Sequence, residues 1–219
     1  MGGKKIIIIG SGIAALASAV RLAVQGFQVI VYEKNGYPGG KLSAFENNGF
    51  HFDAGPSLFI QPDNIEELFQ TAGENISEYF QYHKVPLACK YFYEDGTIIN
   101  AFTDAEKFAA ELQEKTGEPA EHLKKYLQQS SKLYNDIGTI FLHHSLHKTN
   151  SVFKAPIFKA LSSVRSRYIF QSMNKVNAAS FTKPHAVQLF NRYATYNGSN
   201  PFKAPAMLCM IPHLEYTQG

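Results

Sequence analysis

Residues 5–33 read KIIIIGSGIAALASAVRLAVQGFQVIVYE, and three periodicities follow one another in that stretch. Lys5 to Ile9 is a short β-branched run that stops at Gly10, the pattern of a strand buried on both faces of a parallel sheet. Ile13 to Gln25 predicts a helix. Ala14, Ala15, Ala17 and Ala19 favour it and let another backbone come close, and Gly26 supplies its end. Gln28 to Glu33 is a second strand of the first kind. Two parallel strands joined by a helix form a βαβ unit with a right-handed crossover, so the fold class is α/β and Rossmann-like at its N-terminus.

Gly10, Gly12 and Ala15 stand in the G-x-G-x-x-G/A spacing, placed between strand and helix where that spacing has a physical use. Gly10 permits the tight turn, Gly12 lets a pyrophosphate approach the backbone, and Ala15 keeps helix and strand close. Ser11, Ile13 and Ala14 share the turn, whose first helical N–H groups lack partners and favour an anion. Glu33 ends the second strand, where a carboxylate accepts hydrogen bonds from ribose hydroxyls, and Lys34 follows it. The bare alternative is a tight α/β turn with a solvated Glu33. Strand, helix, second strand and acid in register favour a dinucleotide, and the unit by itself serves NAD and FAD alike.

Working outward, the chain has 219 residues, 45% of them hydrophobic, which is enough for a sizeable core in one or two domains. The net charge is +3, too small for a generic nucleic-acid binder. Its distribution is uneven: Met1 to Asp136 holds 12 basic and 17 acidic residues, whereas Ile137 to Leu214 holds nine basic and no acidic ones. The two cysteines, Cys89 and Cys209, form neither a disulfide framework nor a CxxC pattern and read as small core residues in a reducing cytoplasm. The apolar run Ile6 to Val20 is interrupted by glycines and too short to span a membrane.

Further along, Leu42 to Glu46 and Phe50 to Phe52 predict short strands about an Asn47-Asn48-Gly49 turn, and Asn64 to Ala72 a short helix. Lys90 to Asn100 alternates about Asp95-Gly96, a two-residue hairpin signal. Thr103 with Glu106 predicts a capping box for a helix presenting Phe108, Ala109 and Leu112 on one face. Apolar positions 123, 127, 134, 137 and 141 predict one stripe of a long helix. Ser151 to Asn177 reads as helical, and Thr182 with Pro184 starts another helix that ends near Gly198.

The continuation YEKNGYPGGKLSAFENNGFHFDAGPSLF, residues 32–59, resembles the FAD-binding start of amine-oxidase-like flavoproteins, especially the phytoene-desaturase type of carotenoid desaturases. FNRYATYNGSNPFKAPAMLCMIPHLE, residues 190–215, resembles the same carotenoid desaturases and is the more specific of the two. The resemblance implies FAD as cofactor, a carotenoid, phytoene or a hydroxycarotenoid, as substrate, and desaturation as the reaction. It implies that Gly40, Lys41 and Leu42, and then Gly55, Pro56 and Ser57, approach the flavin end. Related amine or porphyrinogen oxidases and a non-catalytic prenyl-lipid carrier of the same architecture are the rival readings. Members of the family are roughly twice this length, and their C-terminal part completes the sheet. The expectation is therefore an incomplete FAD-binding part, residues 1–86, followed by a mixed α+β substrate- and membrane-facing region, residues 87–219.

The acid-free stretch carries Lys148, Lys154, Lys159, Arg165, Arg167, Lys175 and Lys183 among Phe153, Phe158, Tyr168 and Phe170. Three surfaces suit it: an anionic membrane, a solvated face with the aromatics in a core, and nucleic acid. Residence of carotenoids in membranes favours the first, with peripheral attachment at the cytoplasmic side and no nucleic-acid partner. His143 and His147 have ligand-compatible i, i+4 spacing but no acidic neighbour, and no metal is expected. Arg165, Arg167 and Arg192 are polar candidates near a substrate tunnel, and no catalytic residue is assigned.

Overall fold

In the computed structural model, which describes residues 4–56, 58–138 and 164–217, the chain divides into two compact units, Met1–His83 and Lys84–Gly219. The first unit opens with β1 (Lys5–Ile9), α1 (Ile13–Val24) and β2 (Gln28–Tyr32). β1 and β2 pair in parallel with Ile7 opposite Ile30. This is the βαβ unit read from the sequence, and the fold is mixed α/β with a partial Rossmann-like sheet.

β3 (Ala44–Asn47) and β4 (Phe50–Asp53) form an antiparallel hairpin. Asn48 and Gly49 form its two-residue connection, with φ of 51° and 80°. Positive φ at both central residues is what a type I′ turn requires, and Asn-Gly is the pair that adopts it most readily. α2 (Asp63–Ala72) ends at Gly73, whose φ of 77° lies in the left-handed region.

The expectation that β1 and β2 are buried on both faces is corrected. Ile7 is 58% and Ile9 89% exposed, because the sheet has two strands and no neighbour beyond either edge among the described residues. Ser11 is the only buried residue of the first unit among those described.

The second unit contains the hydrophobic core. β5 (Leu87–Phe92) pairs antiparallel with β6 (Ile98–Phe102). Their connection is a three-residue loop rather than the expected two-residue one: Gly96 N–H donates to the Tyr93 carbonyl (3.0 Å) and Tyr93 N–H to the Thr97 carbonyl (3.0 Å). Gly96, at φ 84°, takes the left-handed position that this longer loop demands. α3 (Ala105–Thr116) and α4 (Ala120–Leu133) follow, and α4 runs into a π-helical turn at Tyr134–Gly138. After them come α5 (Ser166–Phe170), α6 (Met173–Ser180), α7 (Pro184–Asn191), a 3-10 turn at Arg192–Asn197, and α8 (Ile211–Thr217).

Phe108, Leu112, Leu123, Phe190 and Tyr193 are fully buried in this core. Phe190 stacks on Phe181 with centroids 4.9 Å apart and meets Tyr126 at 4.4 Å. Burying each such side chain contributes about 1.5–3 kcal/mol. Cys209 is buried here, and burial pushes its thiol up to about 11.

Three further expectations need correction. The cap of α3 is Asp104, whose carboxylate accepts from Lys107 N–H at 2.8 Å; Thr103 instead donates to the carbonyls of Val85 and Pro86. A competing acceptor on β5's approach takes the hydroxyl out of the capping position. Leu123, Tyr134 and Ile137 of the expected stripe are buried, but within α4 the buried face runs through Leu123, Tyr126, Ser130 and Leu133. Leu127 is half-buried, while Tyr126 turns inward because Asn177 accepts its hydroxyl at 2.8 Å. α7 begins after Lys183, and Thr182 gives both its N–H and its hydroxyl to the Glu118 carboxylate. The segment 139–163, with the three histidines, lies outside the described residues, as does Ser57.

Candidate dinucleotide site

The glycine turn after β1 is braced from two sides. Gly10 N–H donates to the Tyr32 carbonyl at 2.6 Å, and Gly10 has a φ of 91° that only glycine adopts without strain. Gly39 N–H donates to the Ser11 carbonyl at 2.8 Å, and Gly12 and Gly39 form an isolated parallel bridge. A Cβ on Gly40 would stand 3.1 Å from Gly12 Cα. Paired glycines are therefore needed where residues 39–40 cross the turn, a signal present in the sequence as Pro38-Gly39-Gly40-Lys41. The pairing of Gly39 with Gly12 is the part the sequence did not single out.

A groove of about 400 Å³ lies against this turn, lined by Gly10, Gly12, Ile13, Ala14 and Ala15. Gly39, Lys41, Leu42 and Pro56 line its other side. Lys34 is exposed next to Glu33, and neither residue lines the groove. A Cβ on Gly55 would lie 2.3 Å from the Lys41 carbonyl oxygen, so the backbone of residues 41 and 55 meets there without room for a side chain.

Glu33 is held by the turn itself. Ser11 N–H and the Ser11 hydroxyl both donate to Oε2 at 2.7 Å, and Asn35 N–H donates to Oε1 at 2.8 Å. The Asn35 amide first, then the Ser11 hydroxyl and amide, lower the carboxyl to about 2 from its ordinary value of 4.5. Acceptor capacity remains on Oε1, since a carboxylate offers about four lone-pair sites.

These features fit a dinucleotide. A Cβ at Gly10 or Gly12 would meet no protein atom within 4 Å, so the bare backbone there faces open space. The first turn of α1 contains no acidic residue and no side-chain cap, which leaves its N–H groups for phosphate oxygens. An ionised acid sits one strand-end away for a ribose. Among the described residues no cluster of His, Cys, Asp and Glu suited to a metal ion is present.

In the second unit Arg192 is committed to a buried carboxylate. Its Nη2 donates to both oxygens of Glu215 at 2.7 and 2.9 Å. The hydroxyls of Tyr193 and Tyr196 donate to the same group at 3.0 and 2.5 Å. Glu215 is 5% exposed, and the guanidinium lies 4.5 Å from the Tyr193 ring centroid. Arg192 is thus ion-paired, while Arg165 is exposed and Arg167 half-buried. Sequence reading had no signal for this pairing, since 23 residues separate the partners.

Comparison with known proteins agrees with this geometry. A family model of NAD(P)-binding Rossmann-like domains matches residues 8–73. The chain is 47% identical over 216 residues to a 1-hydroxycarotenoid 3,4-desaturase of Flavobacterium sp. (strain P99-3), covering 99% of this chain and 44% of that protein. It is 32% identical over 216 residues to a 4,4'-diapolycopene oxygenase of Methylomonas sp, covering 99% and 43%. The chain thus spans less than half the length of the curated relatives it matches. Among solved structures, a putrescine oxidase triple mutant redesigned in cofactor binding superposes with a TM-score of 0.57 at 12% identity, over 97% of this chain and 42% of that one. That likeness shows the fold.

Proposed function

From a chain that aligns along nearly its whole length with the N-terminal part of carotenoid desaturases and oxygenases, we propose that it is the corresponding part of an FAD-dependent oxidoreductase introducing double bonds into a carotenoid. The observation that carries this is the 47% identity to the 1-hydroxycarotenoid desaturase. The open glycine turn, with Glu33 fixed beside it, supports the cofactor. On this reading Gly10 to Ala15 receive the pyrophosphate and Glu33 the ribose of FAD. Gly40, Lys41 and Leu42, together with Gly55, Pro56 and Ser57, belong to the flavin end.

A bound flavin supplies an acceptor for the hydride removed from the hydrocarbon. The chain's own contribution is to hold and orient. Unsatisfied N–H groups of α1 meet phosphate oxygens, and Lys41 adds a cation at the rim of the groove. Glu33, kept ionised, accepts from ribose hydroxyls. No side chain is assigned a proton transfer. The substrate proposed is a hydroxycarotenoid or phytoene, and the rest of a longer protein of this type would complete the sheet. Peripheral attachment at the cytoplasmic face of an anionic membrane belongs to the same reading. Arg165 and the 84% exposed Phe170 on α5 support it, and no described helix is long and apolar enough to cross a membrane.

The test is the visible spectrum and FAD content of this chain purified beside a form extended through the whole reading frame. Flavin is expected in the longer form, which should convert a carotenoid and leave amines untouched. If neither form retains FAD, the desaturase reading fails and a non-catalytic carrier of prenyl lipids takes its place.

A further inference from the structure

Arg167, Lys125 and His122 line one cavity of about 310 Å³ in the second unit, together with Gln129, Ser180 and Thr182. No Asp or Glu lines it. All 18 acidic side chains of the chain fall at described positions, and none pairs with Arg167 or Lys125. The undescribed residues therefore hold no acidic side chain that fills this role.

Arg167 is kept in place by neutral groups. Nη2 donates to the Gln129 side-chain Oε1 and to the Tyr168 hydroxyl, and the guanidinium lies 4.8 Å from the Tyr168 ring centroid. Its Nε is sequestered without an acceptor. A half-buried guanidinium with no counterion keeps its full charge at a desolvation cost that an anion would offset. The last turn of α6 contributes only about half an elementary charge of opposite sign, and neither Arg167 nor Lys125 nor His122 donates to its carbonyls. His122 Nδ1 is tied to Glu118 at 2.6 Å, which leaves Nε2 as the nitrogen available to a ligand.

We propose that this cavity binds a phosphate-bearing group, with Arg167 as the main contact and Lys125 and His122 beside it. Donors converging from two elements, α4 and α5, suit a tetrahedral anion, which the planar guanidinium meets through paired N–H groups. The volume is at the small end of ligand pockets, right for a headgroup or phosphate ester and too small for a long polyene. The proposal is independent of the flavin reading, because every lining residue is in the second unit.

The experiment follows thermal unfolding of the whole protein in inorganic phosphate against sodium chloride of equal ionic strength. Phosphate should raise Tm in the parent, R167Q should abolish the extra shift, and K125Q should weaken phosphate by about tenfold. Lys125 is exposed, so K125Q folds even where R167Q does not, and its flavin content should equal the parent's. Flotation with phosphatidylglycerol and phosphatidylcholine vesicles separates the sources. Loss of phosphatidylglycerol flotation in the variants assigns a lipid headgroup, and unchanged flotation with a lost phosphate shift assigns a soluble phosphate ester. A parent that responds alike to phosphate and chloride, or variants that respond as the parent does, overturns the proposal.

Discussion

Ser11 and Glu33 show how one turn prepares a carboxylate before any ligand arrives. Ser11 is 4% exposed and spends both of its donors on Glu33, so the acid cannot swing away without leaving a buried hydroxyl unsatisfied. A carboxyl lowered in the folded state adds stability that is complete above its unfolded value and disappears as pH falls through the folded one. For Glu33 that window runs from about 4.5 down to about 2. Carboxyl carbon NMR should therefore find Glu33 titrating near 2 and moving upward in Ser11→Ala. A midpoint near 4.5 in the parent would show that the Ser11 and Asn35 bonds do not persist in solution. The spacing of Gly10, Gly12, Ala15 and Glu33 made this part of the site legible, because each requirement is set within one turn of the chain. The donation from Asn35 was not, since its backbone N–H would be available from any residue but proline, and the glycine pair at 39–40 announced crowding without naming Gly12 as its partner.

Elements in the second unit are joined by buried charges that no local pattern announces. Glu118, fully buried in the short connection between α3 and α4, accepts from Thr182 N–H (2.9 Å), the Thr182 hydroxyl (3.1 Å), Lys183 N–H (2.6 Å) and His122. It thus serves the amides at the start of α7 from 64 residues away. That distance explains why Thr182 looked like an ordinary helix start. Helix periodicity predicted α3 and α4, and the Thr182-Pro184 start signal predicted α7, but such local patterns are blind to a partner on another segment, and the same blindness hid the turning of Tyr126 toward Asn177. Glu118→Gln should cost about 1.5–3 kcal/mol, because an amide replaces a charge-assisted acceptor and points a donor at other donors. Thr182→Ala should cost about 1 kcal/mol, since the two backbone bonds remain. Chemical denaturation of both variants checks this, and equal losses would mean that the hydroxyl alone matters.

At the scale of the molecule the two units differ in kind. Fifteen of the 22 large hydrophobic side chains that are exposed among the described residues lie in the first unit, Phe50 and Tyr79 among them. A two-stranded sheet without a buried apolar side chain is marginal alone, whereas the second unit buries a continuous aromatic core. Hydrogen exchange should find the amides of β1 and β2 exchanging far faster than those of α4 and α7, and equal protection would require a cover for the first unit. The glycine turn carries a different consequence, for the order of events in synthesis. Gly12 bridges Gly39, Glu33 reaches Ser11, and Gly55 rests on Lys41, so every brace of the groove closes within the first 55 residues. Contacts so near in sequence form early, and chains are made from the N-terminus at about 5–20 residues per second. The cradle can thus close within seconds of leaving the ribosome, while Glu118 waits for Thr182 to be translated.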